Sequence, residues 1–171
     1  MPYVDGCLRD ATLSALMAWS RAQQDPPDIR LEQLFTDESY FHVWAGLWRE
    51  GEDVTVIEQD IVIAPDTLGS FDACREPWCA FGYEYACFGV YAGTGCVRFR
   101  KELIAATPRL WDEVATMSDE LHPPRHWCRL DGWSQAVLHR HGFTQHVHRP
   151  PVGHVDTDVS HGCVHVPALR T

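Results

Sequence analysis

Positive charge is scarce in this chain: 14 Lys and Arg stand against 24 Asp and Glu, a formal net charge of −10 over 171 residues. A protein whose affinity comes from neutralising many phosphates carries the opposite balance, so tight duplex binding is disfavoured. Long apolar runs are also missing, and nothing approaches the roughly 18–20 residues that span a bilayer. The opening Met1-Pro2-Tyr3-Val4-Asp5 has no basic or apolar leader region and does not read as a secretory signal. No GxGxxG or GxxxxGK[ST] pattern occurs, which disfavours Rossmann dehydrogenases and P-loop NTPases. A GxSxG nucleophile elbow is missing too. No internal repeat, heptad or low-complexity tract is visible. Cysteine is present but unpatterned: seven residues, an odd number, with irregular spacing. Cys74 and Cys79 have four residues between them and no mirrored second pair. Such thiols read as reduced and buried, in a cytoplasmic setting, rather than as a disulfide frame.

What is present is an ordinary globular balance, with 45% hydrophobic and 22% charged residues, sized for one domain. Apolar spacing predicts helices over 11–23, from a cap at Thr36 or Asp37 through Arg49, and over 66–74, 100–106, 110–121 and 131–141. Strands are predicted at 2–4, 54–57, 61–63, 78–81 and 144–148, with a possible short one at 29–34. Gly89 to Gly95 reads as a loop, and Pro150-Pro151 opens a loop and tail. Alternation of helices with apolar strands predicts a single-domain α/β fold, a mostly parallel sheet flanked by helices. The domain is placed at residues 1–156 and a C-terminal tail at 157–171.

The chemistry-bearing residues fall into two groups. Val54-Thr55-Val56-Ile57 runs into Glu58-Gln59-Asp60 before Ile61-Val62-Ile63, so two acids interrupt an apolar run. Acids in such a place need a partner or a purpose. Ligands of α/β sheets sit at strand carboxyl ends, where this triplet falls. If the strand continues through it, Glu58 and Asp60 share a side and can hold a hard divalent cation. The competing reading is a structural ion pair at Glu58 and a turn cap at Asp60. Seven of the ten histidines lie from His139 onward. His146 and His148 alternate along a strand, and His154 follows in a turn. A His joining the carboxylates would suit Mn²⁺, whereas His161-Gly162-Cys163-Val164-His165 could take zinc adventitiously. Asp131 reads either as a helix N-cap or as a carboxylate acting on a substrate hydroxyl. Gly93 and Gly95 allow a backbone to approach a ligand closely. Arg98, Arg100 and Lys101 form a modest basic cluster.

In chain order, Pro2-Tyr3-Val4-Asp5, Val56-Ile57-Glu58-Gln59-Asp60-Ile61, Glu76-Pro77-Trp78-Cys79-Ala80-Phe81, Gly93-Thr94-Gly95-Cys96-Val97-Arg98-Phe99, His126-Trp127-Cys128-Arg129-Leu130-Asp131 and the segment from His146 to His154 resemble a small glycosyltransferase of the GT-A fold. The likeness is to the compact phage and actinobacterial type and, more distantly, to the LPS-type family 25 enzymes, over roughly residues 2–156. It implies metal-dependent transfer of a sugar from a nucleotide-sugar donor to an acceptor hydroxyl. Under it, Asp60 holds Mn²⁺ or Mg²⁺ and the donor diphosphate, Glu58 touches ribose, sugar or metal, and His154 completes the metal site. Tyr3 and Asp5 lie where base and ribose sit, Gly93 and Gly95 beside the donor sugar, and Asp131 faces the acceptor as the base of an inverting enzyme. The triplet opens with Glu where the family has Asp. Two other readings stand beside this one: a catalytically inactive nucleotide-sugar-sequestering protein of the same fold, and a Cys/His zinc-binding structural module.

Overall fold

The computed structural model describes residues 1–4, 10–24, 26–85 and 89–154. Asp5 and the 157–171 tail, with His161 to His165, lie outside the described residues. In chain order the elements are β1 (Pro2–Val4), α1 (Asp10–Ala22), β2 (Glu32–Leu34), α2 (Ser39–Glu50), β3 (Val54–Ile57), β4 (Ile61–Val62), α3 (Pro65–Ala73), β5 (Trp78–Tyr85), β6 (Gly89–Tyr91), β7 (Cys96–Phe99), α4 (Lys101–Ala106), α5 (Leu110–Val114), α6 (Leu130–Arg140) and β8 (His146–His154). A 3₁₀ turn at Trp127–Arg129 leads into α6. Among the described residues no helix is long and apolar enough to cross a membrane.

The strand order of the main sheet is β3-β7-β5-β8-β4, with β6 also pairing β5. β1 and β2 form a separate two-stranded parallel sheet. Alternation along the central strands divides the core in two. Val56, Trp78, Ala80, Val97 and Phe99 face α2, α4, α5 and α6. Ile57, Cys79, Phe81, Tyr83 and Cys96 face α1 and α3. The fold is therefore α/β, one sheet between two helical layers, with a buried face on each side. On the first face α2 lays Tyr40, Phe41, Trp44 and Trp48 along one stripe. Trp44 is 0% exposed and stacks on Trp111 with centroids 5.6 Å apart. Gly51, at φ 75°, closes α2 in the left-handed conformation that glycine adopts without a Cβ clash.

The sheet is mixed rather than mostly parallel. Of the six strand pairings, β1–β2 and β5–β8 are parallel and the other four are antiparallel. A parallel pair needs a crossover of a dozen or more residues, usually a helix. The chain leaves β5, forms β6 and enters β7 within too short a segment for one, so it returns antiparallel. The expected 89–95 loop thus contains a strand. The helix expected over 110–121 stops at Val114. The last strand instead runs on past residue 148 to His154, absorbing Pro150 and Pro151. Its pairing with β5 shifts register between Phe81 and Tyr83, the kind of irregularity at which a strand tolerates proline.

Candidate functional site

Ile57, the last residue of β3, pairs with Cys96 at the start of β7. Ile61, the first residue of β4, pairs with His154 at the end of β8. Only Glu58, Gln59 and Asp60 lie between, so the acidic triplet crosses the sheet's rim where β7 begins and β8 ends. It is a turn and not a strand continuation. The Ile61 amide donates to the Glu58 carbonyl at 3.2 Å and the Glu58 amide donates to the Gly95 carbonyl at 2.8 Å. Thr12, on α1, anchors the turn from below by donating to the Ile61 carbonyl at 2.6 Å.

Above this turn the side chains form a connected polar network. The Tyr40 hydroxyl, at the start of α2, donates to Glu58 Oε1 at 2.5 Å and lies 3.2 Å from Thr94 Oγ1. Thr94 in turn donates to Asp131 Oδ1. Asp131 is not the N-cap, a position held by Arg129; it sits in the first turn of α6 and spends its carboxylate on Thr94. The glycines make room for this convergence. A Cβ at Gly95 would stand 2.9 Å from both Glu58 Oε2 and the Tyr83 hydroxyl. A Cβ at Gly93 would collide with Asp131 Oδ2 and come within 2.7 Å of the Tyr83 hydroxyl and a Tyr91 ring carbon. Gly93 and Gly95 are thus the backbone over which two carboxylates and two tyrosines meet.

The electrostatics of the network are those of crowded, buried carboxyl groups. Burial pushes the Glu58 carboxyl well above the usual carboxylate range, Asp131 and Asp60 push it further, and the Tyr40 hydrogen bond partly opposes them. Burial also raises Asp131, against the two hydrogen bonds from Thr94. The phenols of Tyr40 and Tyr91 are raised first by burial, with nearby carboxylates adding to it.

Asp60 sits beside this network with a different partner. Its Oδ2 lies 3.5 Å from His154 Nε2, and the two side chains are 16% and 7% exposed. Its Oδ1 is buried, with no hydrogen-bond partner among the described residues. The His154 ring is held by stacking on Tyr83, centroids 5.3 Å apart and planes 19° apart. Neighbouring ligands of an octahedral divalent ion at about 2.1 Å stand roughly 3 Å apart, so a small closure of the Asp60–His154 pair lets both bind one ion. Two protein ligands suit Mg²⁺ or Mn²⁺, which complete their shells with substrate phosphates and water. They do not suit an ion that needs a full protein cage. Among the described residues, the tight trios of metal-ligating atoms lie elsewhere, at Cys74, His146 and His148 and at His122, His126 and Cys128.

The other residues singled out from the sequence are spread around the fold. Tyr3 lies on β1, in the two-stranded sheet and not in the sheet that carries the acids. His146 and His148 lie at the beginning of β8, with Cys74, rather than beside Asp60. Arg98 donates to the Phe71 carbonyl and, at 3.1 Å, to Asp53; Arg100 donates to the Cys74 carbonyl. Both guanidiniums therefore satisfy carbonyls at the end of α3, where positive charge opposes the helix dipole. Tyr40, Thr94, Tyr83 and Tyr91 were not singled out. Tyr40 carried a usable signal: a tyrosine in a buried helical stripe must bring its hydroxyl to a partner.

Compared with protein-family models, curated proteins and solved structures, the chain matches none. The functional reading rests on the residues and their geometry.

Proposed function

We propose that this protein is a divalent-cation-dependent glycosyltransferase of GT-A type, moving a sugar from a nucleotide-sugar donor to an acceptor hydroxyl. The observation that carries the reading is the meeting of the Glu58–Asp60 turn with His154, the Gly93–Gly95 segment and Asp131 at one rim of the sheet. These positions come from distant parts of the chain and coincide with those the GT-A resemblance assigns to donor, metal and acceptor.

Asp60 and His154 would hold Mn²⁺ or Mg²⁺, the cation supplying charge neutralisation of the diphosphate leaving group. Asp60 Oδ1, buried and without a hydrogen-bond partner among the described residues, fits that duty. Glu58, fixed by the Tyr40 hydroxyl, faces the donor side with its second oxygen over Gly95. Asp131 is oriented by Thr94, and its raised affinity for protons suits a base for the acceptor hydroxyl in an inverting transfer.

Incubating the full chain with a panel of UDP- and GDP-sugars and Mn²⁺ tests this through donor hydrolysis, in which water takes the sugar in place of the acceptor hydroxyl. Nucleoside diphosphate release that requires the cation, and that disappears in Asp60→Ala, is the expected result. Tight donor binding with no product over hours would replace the transferase with a sequestering protein. No binding and no release across the panel would end both readings.

A further inference from the structure

We infer that Cys74, His146 and His148 form a separate zinc site beneath α3, at the opposite end of β8 from His154. Two residues apart on one strand, His146 and His148 project from the same face. Their registers against β5, His146 opposite Cys79 and His148 opposite Phe81, put that face in the layer packed under α3. The His148 ring is clamped there, stacked on Phe81 at 4.8 Å and meeting the edge of Phe71 at 5.6 Å. Its Nε2 is buried, with no hydrogen-bond partner among the described residues.

The thiol arrives from the other side. Cys74 is the residue that ends α3, and Arg100 fixes its backbone by donating to its carbonyl. The Cys74 Sγ and one ring nitrogen of each histidine all lie within 4.8 Å of one another. Ligand atoms of a tetrahedral zinc stand roughly 3.3–3.6 Å apart, so the three side chains would draw together on an ion, with the exposed His146 the freest to rotate. One sulfur and two imidazoles are soft and borderline donors, which favour zinc over the oxygen-seeking Mg²⁺ or Mn²⁺.

The cluster lines an open depression of about 390 Å³ with Ser70, Ala73, Arg75 and Glu76. Cys79, directly below, is 0% exposed and belongs to the packed core. The set thus offers three protein ligands at the edge of this depression, and the Cys79 thiol stands in hydrogen-bond contact with that of Cys74 behind them. On binding, the Cys74 thiol gives its proton to solvent as the Zn–S bond forms.

The test uses the full chain, stripped with a chelator and titrated with zinc against a competing indicator. One zinc per chain is expected, with affinity lowered at least about 100-fold in His146→Ala and in His148→Ala. Since His146 is exposed, its alanine variant keeps the fold intact even if Cys74→Ser does not. Cobalt in place of zinc should show a thiolate charge-transfer band in the wild type that Cys74→Ser removes. Stoichiometric zinc that survives the loss of both histidines, or that vanishes instead with Cys128→Ser, would overturn the assignment. So would the lack of stoichiometric zinc in the wild type.

Discussion

β8 carries histidines at both ends, and the two ends are built for different chemistry. At its start His146 and His148 lie beside the Cys74 thiol, over an open depression. At its end His154 stands against Asp60, next to Glu58 and Asp131, inside a network donated by Tyr40 and Thr94. The same residue type on the same strand thus meets sulfur at one end and carboxylate oxygen at the other. The donors differ in softness: sulfur favours borderline and soft ions, and carboxylate oxygen favours hard ones. Burial separates them further. Glu58 and Asp131 are held where ionisation is disfavoured, whereas His146 is open to solvent.

The substitution expected to separate the ends most sharply is Asp60→Ala. It should weaken Mn²⁺-dependent binding of a nucleotide-sugar by at least about 100-fold while leaving zinc affinity unchanged, both read by calorimetry. Unchanged Mn²⁺-dependent binding in this variant would remove Asp60 from the cation site. Asp131→Asn should act on rate alone, slowing turnover by about 10²–10⁴-fold with donor binding retained in a titration. If donor affinity falls instead, Asp131 binds substrate rather than accepting a proton.

Gly95→Ala sharpens the comparison through packing. Its Cβ would press on Glu58 Oε2 and the Tyr83 hydroxyl at 2.9 Å, so a stability loss of about 1–3 kcal/mol is expected in denaturant melts, again with zinc binding retained. The mildest expected effect is a gain. Folding raises the proton affinity of Glu58 and Asp131, so the folded chain holds protons that the unfolded chain releases. Cation-free stability should then fall as pH rises from the ordinary carboxylate range through the raised folded values, and stay low above them. Glu58→Gln keeps an acceptor for Tyr40 but removes one of the crowded charges. At neutral pH it should raise cation-free stability by about 1 kcal/mol, or roughly 2–4 °C in Tm, and flatten the pH dependence.

These expectations rest on features that differ in how far the sequence discloses them. The α2 stripe of Tyr40, Trp44 and Trp48 is written in helical spacing, and two acids inside an apolar run mark the rim turn without any structure. The hydroxyl relay is not written there, because Tyr40, Thr94 and Asp131 meet only through the packing of α2 and α6 against the sheet. Strand direction is equally hidden. Helices alternate with strands in the sequence, yet the return from β5 to β7 is a short antiparallel one that uses residues read as a loop. Pro150 and Pro151 argued for a loop, and the register shift beside Tyr83 accommodates them within β8. The Cys74–His146–His148 grouping had no local signature, since its thiol and imidazoles are about as far apart in sequence as β8 is from α3.

The central claim is that Asp60 and His154 form a cation-dependent diphosphate site. Thermal melts of the full chain with nucleotide-sugars, with and without Mn²⁺, test it most directly, because a ligand bound only to the folded state raises Tm. The expected result is a rise that needs sugar nucleotide and Mn²⁺ together and that is lost in Asp60→Ala. An equal rise in that variant, or no rise with any donor, would contradict it.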